Sequence, residues 1–123
     1  MKQRDRRILI KIMNYCMEVC DTHVYFKQDK ELFMDEKYGF IYRNSITMPI
    51  LQIGELAKTL SGDFLDEYTK IPWKMIMRMR DIVAHHYGNL DYEIVWNTSI
   101  SDISDLYHGV EELLSRQDRQ ETK

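Results

Sequence analysis

PWKMIMRMRDIVAHHYGN, residues 72–89, is the stretch from which the rest of the chain is read. Pro72 suits the first turn of a helix, where its missing amide costs no hydrogen bond, and Gly88 and Asn89 supply a stop. At about 100° per residue, Ile76, Val83 and Tyr87 fall on one side, with Trp73 and Ala84 within about 60° of them. The segment therefore predicts an amphipathic helix. Arg80 sits in the middle of that apolar stripe. A guanidinium among apolar neighbours must be paired, must snorkel, or must border a surface that meets something else. The plainest structural answer is a salt bridge to a carboxylate on another helix, such as Glu55. His85 lies about 140° from Arg80 on an ideal helix, on the side of Lys74, Arg78 and Asp81. Two features reduce that separation: the final turn before Gly88 can unwind, and a symmetric dimer can join residues of two chains. His86 falls nearer Met75, Met79 and Ile82 and is expected to be a packed core or interface residue without chemistry.

The same periodicity extends in both directions. From about Arg4 to Lys27, the residues Ile8, Ile12, Tyr15, Cys16, Val19, Cys20 and His23 recur at three- and four-residue steps, which predicts a long helix. The run KQDKEL interrupts it. YGFIYRNSITMPILQIGELAKTLSG then starts a second helix, with Gly62 as a left-handed cap at its end. Pro49 has no amide to return to the carbonyl of Ser45, so a kink or a late start is expected there. DFLDEYTKI reads as a short helix. The last segment runs from Asp91, a suitable amino-terminal cap, to about Arg116, with a bend at Ser99 and Ser101. No stretch alternates long enough to be a strand, and no repeat is present. The expected fold class is all-α, an antiparallel bundle of four to five helices. One domain is expected over residues 1–116, followed by a polar, frayed tail over 117–123.

At 123 residues, with 44% hydrophobic residues and only 5 Gly and 2 Pro, the chain can bury one core without disulfide or metal staples. Its net charge of −3 excludes broad attraction for a polyanion, so any nucleic-acid contact must rest on a local basic cluster. Two such clusters exist: Lys2, Arg4, Arg6, Arg7 and Lys11 at the amino end, and Lys70, Lys74, Arg78 and Arg80 in the opening stretch. Either also reads as a solvated helix face. The start MKQRDRRILIKIMNYCMEV is basic and then mixed, reading as neither signal peptide nor membrane span, so a cytoplasmic location is expected. Cys16 and Cys20 share a helix face without a second pair for zinc and are expected to be reduced thiols.

RDIVAHHY fits the pattern R-x-x-x-x-H-x-Y at Arg80, His85 and Tyr87. It resembles the HEPN (higher eukaryotes and prokaryotes nucleotide-binding) domain family, specifically the HepT-type toxin of HepT/MntA toxin-antitoxin pairs. QIGELAKTLS at 52–61 is similar to this family's second-helix signature, and GNLDYEIVW at 88–96 to the segment after its motif. The resemblance covers the chain from about Arg4 to about Leu114. It departs at Asp81, where the family often has Asn, although an acidic residue also occurs there in HEPN proteins; the carboxylate is read as a supporting group that pairs with Arg80 or with His85 and tunes the histidine.

The resemblance implies a homodimeric, metal-independent endoribonuclease, the toxin of a type VII pair, with catalytic Arg80 and His85 from two protomers lining one cleft. The residue types suit that chemistry. RNA carries its own nucleophile in the 2′-hydroxyl, so a general base and a cation suffice, and no cofactor or metal is expected. The resemblance also implies that Tyr87 is AMPylated by a minimal nucleotidyltransferase antitoxin of the MntA type, which would occlude the cleft and add negative charge to it. Two other readings stand beside this one. The first is a non-catalytic helical dimer that binds a nucleotide or the nucleotidyltransferase; the second is a plain structural or adaptor bundle with Arg80 in a buried ion pair. Within the family reading itself, Tyr87 also reads as a core aromatic at the helix end, a role that can coexist with its modification.

Overall fold

A computed structural model of the chain describes residues 1–121. The helices are α1 (Gln3–Tyr25), α2 (Lys30–Met34), α3 (Phe40–Lys58), α4 (Gly62–Glu67), α5 (Trp73–His86), α6 (Tyr92–Asn97) and α7 (Ile103–Glu121). A 3₁₀ turn, Tyr87–Asn89, follows α5, and a π turn, Thr98–Asp102, joins α6 to α7. No strand occurs among the described residues, so the chain is all-α as its periodicity requires. None of these helices is long and apolar enough to cross a membrane.

Bonds between helix ends set the topology. Arg4 donates to the Thr59 carbonyl at 2.5 Å, while His23, near the other end of α1, meets Tyr42 near the start of α3, so α1 and α3 run antiparallel. Lys58 with Asp81 and Asn44 with Tyr87 set α3 against α5 in the same sense. Arg6 with Asp118 and His23 with Ser99 do so for α1 and the α6–α7 run. The helix α3 thus lies between α1 and α5, with α2 and α4 as short connectors. The core follows the stripes read from the sequence: Ile8, Ile12, Cys16 and Val19 from α1 meet Tyr42, Ile46, Ile53 and Ala57 from α3 and Val110 from α7. Burial, with Cys20 nearby, pushes the Cys16 thiol up to about 12, and both cysteines are free.

Around His23, the hydrogen-bond directions are determinate. Ser99 Oγ donates to the Trp96 carbonyl at 2.7 Å, so it accepts from His23 Nε2–H at 2.8 Å. His23 Nδ1 is then the acceptor for the Tyr42 hydroxyl at 2.5 Å, which makes His23 a neutral imidazole with every polar atom satisfied. The π turn supplies the geometry by placing Ser99 on the inner face where a bend was expected.

Several boundaries differ from the sequence reading. The helix α1 ends at Tyr25, because Lys27 and Gln28 turn left-handed (φ 56° and 51°) and Gln28 N–H closes on the His23 carbonyl at 2.7 Å. Inside KQDKEL, where only an interruption was expected, Asp29 caps α2 by accepting from Leu32 N–H at 3.1 Å. Instead of starting late, α3 continues through a buried Pro49. Gly62 is not a left-handed cap; it begins α4, whose N-cap is Ser61. Ser61 Oγ accepts from Phe64 N–H at 3.2 Å and donates to the buried Asp5 carboxylate at 2.7 Å. Burial alone would raise the Asp5 carboxyl, but bonds from Ser61 and the charges of Lys2 and Arg4 hold it below its ordinary value. At the other end, α7 continues past Arg116 to Glu121; Thr122 and Lys123 of the expected tail lie outside the described residues.

Candidate functional site

Two buried side chains fix α5 against the bundle. Trp73, whose indole N–H donates to the Tyr68 carbonyl at 3.1 Å, holds its start, and Val83 holds its second half. Between them the contact with α3 is unusually close at Gly54. A Cβ on Gly54 would collide with the Arg80 Cβ and lie 2.9 Å from its Cγ, so the stem of Arg80 rests directly on the α3 backbone. The arginine occupies an apolar stripe because a glycine faces it.

That seat delivers the guanidinium to a carboxylate pair. Arg80 Nε donates to Glu55 Oε1, and Nη1 to Asp81 Oδ1 at 3.1 Å. Lys58 Nζ reaches the same Asp81 oxygen at 2.5 Å. Hydrogen bonds from Lys58 and then Arg80 lower the Asp81 carboxyl, and those to Asp81 and Glu55 raise the already basic Arg80 further. Of the two roles open to Asp81, the geometry realises the pairing with Arg80. The arginine side chain remains 27% exposed, and its second terminal nitrogen has no partner among the described residues. It is a fixed cation with donors to spare for an anionic oxygen.

Tyr87 stands in the 3₁₀ turn beyond α5, 40% exposed, and its hydroxyl donates to Asn44 Oδ1 on α3 at 2.8 Å. It is therefore an accessible phenol, not a core aromatic. His85 is exposed, and no hydrogen bond or ion pair joins its side chain to Arg80 or any other group among the described residues. His86, expected at a packed position, is exposed as well, because α5 packs through its other face. The site thus joins Arg80 and Asp81 to Glu55 and Lys58, sets Tyr87 on Asn44, and leaves His85 apart. Gly54, Lys58 and Asn44 were not singled out from the sequence. The first two lie inside QIGELAKTLS, where a glycine in mid-helix is a signal of close approach.

A family model described as ribonuclease HepT-like matches residues 16–113. Among curated relatives, a protein of Caldanaerobacter subterraneus subsp. tengcongensis named as an RNase is 30% identical over 99 residues, 73% of this chain and 88% of the relative. Another protein named as an RNase, from Methanocaldococcus jannaschii, is 29% identical over 119 residues, 93% of this chain and 95% of its own length. A protein of Thermococcus cleftensis named as a ribonuclease HepT is 38% identical over 61 residues, which are 50% of this chain and 56% of that protein. No solved structure matches the chain.

Proposed function

The chain belongs to the HepT-like ribonuclease family, and on that premise we propose that it is a toxin endoribonuclease that cuts RNA without a metal ion, in a cleft shared by two copies. The observation that carries this reading is the division of groups around α5. Arg80 is anchored towards α3 with donors to spare, while His85 stands exposed about 140° away on an ideal helix. One protomer thus offers its cation and its base to different sides. A two-fold pairing gives each cleft Arg80 from one copy and His85 from the other. Met75 and Ile82, 51% and 42% exposed on α5, supply apolar surface for that pairing.

In the cleft, the His85 imidazole takes the proton of the 2′-hydroxyl, and the resulting oxyanion attacks the adjacent phosphorus. Arg80 holds the non-bridging oxygens as negative charge grows on them. The 5′-oxygen leaves and takes a proton from solvent water, giving a 2′,3′-cyclic phosphate and a 5′-hydroxyl end, and the protonated His85 returns its proton to solvent. Tyr87 is the point of control. An MntA-type nucleotidyltransferase joins its phenolic oxygen to the α-phosphorus of ATP, releasing pyrophosphate and the phenolic proton. The adenylate then adds bulk and negative charge near Arg80.

The test is cleavage of total cellular RNA in EDTA by protein that mass spectrometry shows to carry no adenylate, beside Arg80→Ala and His85→Ala. The expected result is cleavage that survives chelation and is lost in both variants. Tyr87→Phe should cleave but escape inhibition by the nucleotidyltransferase. Full cleavage by His85→Ala would overturn the mechanism, and no cleavage by the unmodified dimer would favour a non-catalytic nucleotide or partner binder.

A further inference from the structure

The two basic clusters differ once folded. At the amino end, Lys2 pairs with Asp63, Arg4 bonds the Thr59 carbonyl and Arg6 pairs with Asp118, which leaves Arg7 and Lys11 exposed without partners among the described residues. On α5, Lys74 and Arg78 are both exposed and both without partners among the described residues. Lys74, Arg78, Asp81 and His85 are separated by four, three and four positions, a spacing that keeps them within about 40° of one line along the helix. The one carboxylate in that line, Asp81, is neutralised between Lys58 and Arg80.

We infer that this line is the track on which the RNA backbone lies: phosphates of a single strand bind Lys74 and Arg78 and lead the scissile linkage to His85. The inference rests on the ribonuclease reading and deepens it by naming the surface that holds substrate. From Lys74 to His85 the helix rises about 16 Å, enough for a short run of nucleotides. The strand is unpaired because in-line attack by the 2′-oxygen needs a backbone free to rotate, which a duplex withholds. A chain of net charge −3 can bind a polyanion only where cations are concentrated and unspent, and α5 concentrates them beside the base.

The experiment pairs two double variants, Lys74→Gln/Arg78→Gln on α5 and Arg7→Gln/Lys11→Gln on α1, which remove equal charge. Binding of a labelled, mixed-sequence single-stranded RNA is measured against salt in a His85→Ala background, and cleavage is measured with His85 intact. The α5 pair should lower the slope of log affinity against log salt by about 1.4, from two cations at about 0.7 each. It should also raise KM while kcat is retained, and the α1 pair should do neither. Equal weakening by both pairs, no effect of either, or no binding by the parent protein overturns the track. Cleavage with KM unchanged by the α5 pair overturns the track and leaves the ribonuclease standing. Binding that depends on the α5 pair without any cleavage by unmodified protein does the reverse. Lys74→Glu/Arg78→Glu, checked for retained helicity, should weaken binding further than the glutamine pair.

Discussion

His23 and Arg80 are both polar residues in apolar stripes, and the structure resolves them in opposite ways. Arg80 keeps its charge by meeting two carboxylates at a partly exposed position, whereas His23 sheds its charge and satisfies both nitrogens in the core. Burial lowers the His23 pKa below its ordinary 6.5. The unfolded chain therefore takes up this proton first as the pH falls. The contribution of His23 to stability is complete above pH 6.5 and declines as the pH drops from there towards its folded value, by at most about 1.4 kcal/mol per pH unit. Urea unfolding of the protein at pH 7.5 and pH 5.5 should show this loss. His23→Gln should flatten the difference while lowering stability at the higher pH; an unchanged pH difference in that variant would show that other groups carry it. The two residues also differ in what could be read beforehand. The Arg80–Glu55 pair was legible because a buried-looking guanidinium demands a carboxylate. The links of His23 to Tyr42 and Ser99 were not, because they join residues far apart in sequence through a π turn that no local pattern announces.

Helix packing depends on Gly54 in a way that can be tested against another glycine of the same chain. Gly54→Ala would put a methyl group into the Arg80 stem, so α3 and α5 must separate or Arg80 must swing off its carboxylates. The cost of such overpacking is about 1–3 kcal/mol, reduced by the roughly 1 kcal/mol helix propensity that alanine returns. Gly62→Ala meets nothing within 4 Å and no left-handed backbone, so it should leave stability unchanged or raise it slightly. Thermal unfolding should separate the two variants, and RNA cleavage should fall in the first alone. Equal melting temperatures would mean that the α3–α5 contact yields without cost. Element identity was legible because α1, α3 and α5 carry apolar positions at helical spacing over many turns. Element ends were not, because tertiary partners choose them. Ser61 rather than Gly62 marks a boundary because Asp5, from the start of the chain, holds it.

For the molecule as a whole, the proposed cleft turns on which chain supplies Arg80 and which supplies His85. Within one protomer, Arg80 leans on α3 and His85 faces outward, so the single fold contains both groups but does not oppose them. Sequence could supply the residues and not this division, because an ideal helix wheel gives an angle and leaves the partner surface undefined. A mixing experiment decides it. Arg80→Ala and His85→Ala homodimers should each be inactive, since every cleft lacks one group. When the two are unfolded together and refolded, about half the dimers are mixed. If each cleft takes Arg80 from one copy and His85 from the other, each mixed dimer holds one intact cleft and one lacking both groups. RNA cleavage should then return to about a quarter of the parent rate. If both groups of a cleft come from the same chain, every cleft in the mixture still lacks one, and no activity returns. Adding Met75→Lys and Ile82→Lys to both partners should abolish the recovery if these residues hold the copies together. Gel filtration with light scattering should then find monomers where the proposed reading expects the parent protein to be a dimer. Persistence of the dimer in that variant would move the shared surface from this face of α5 to another.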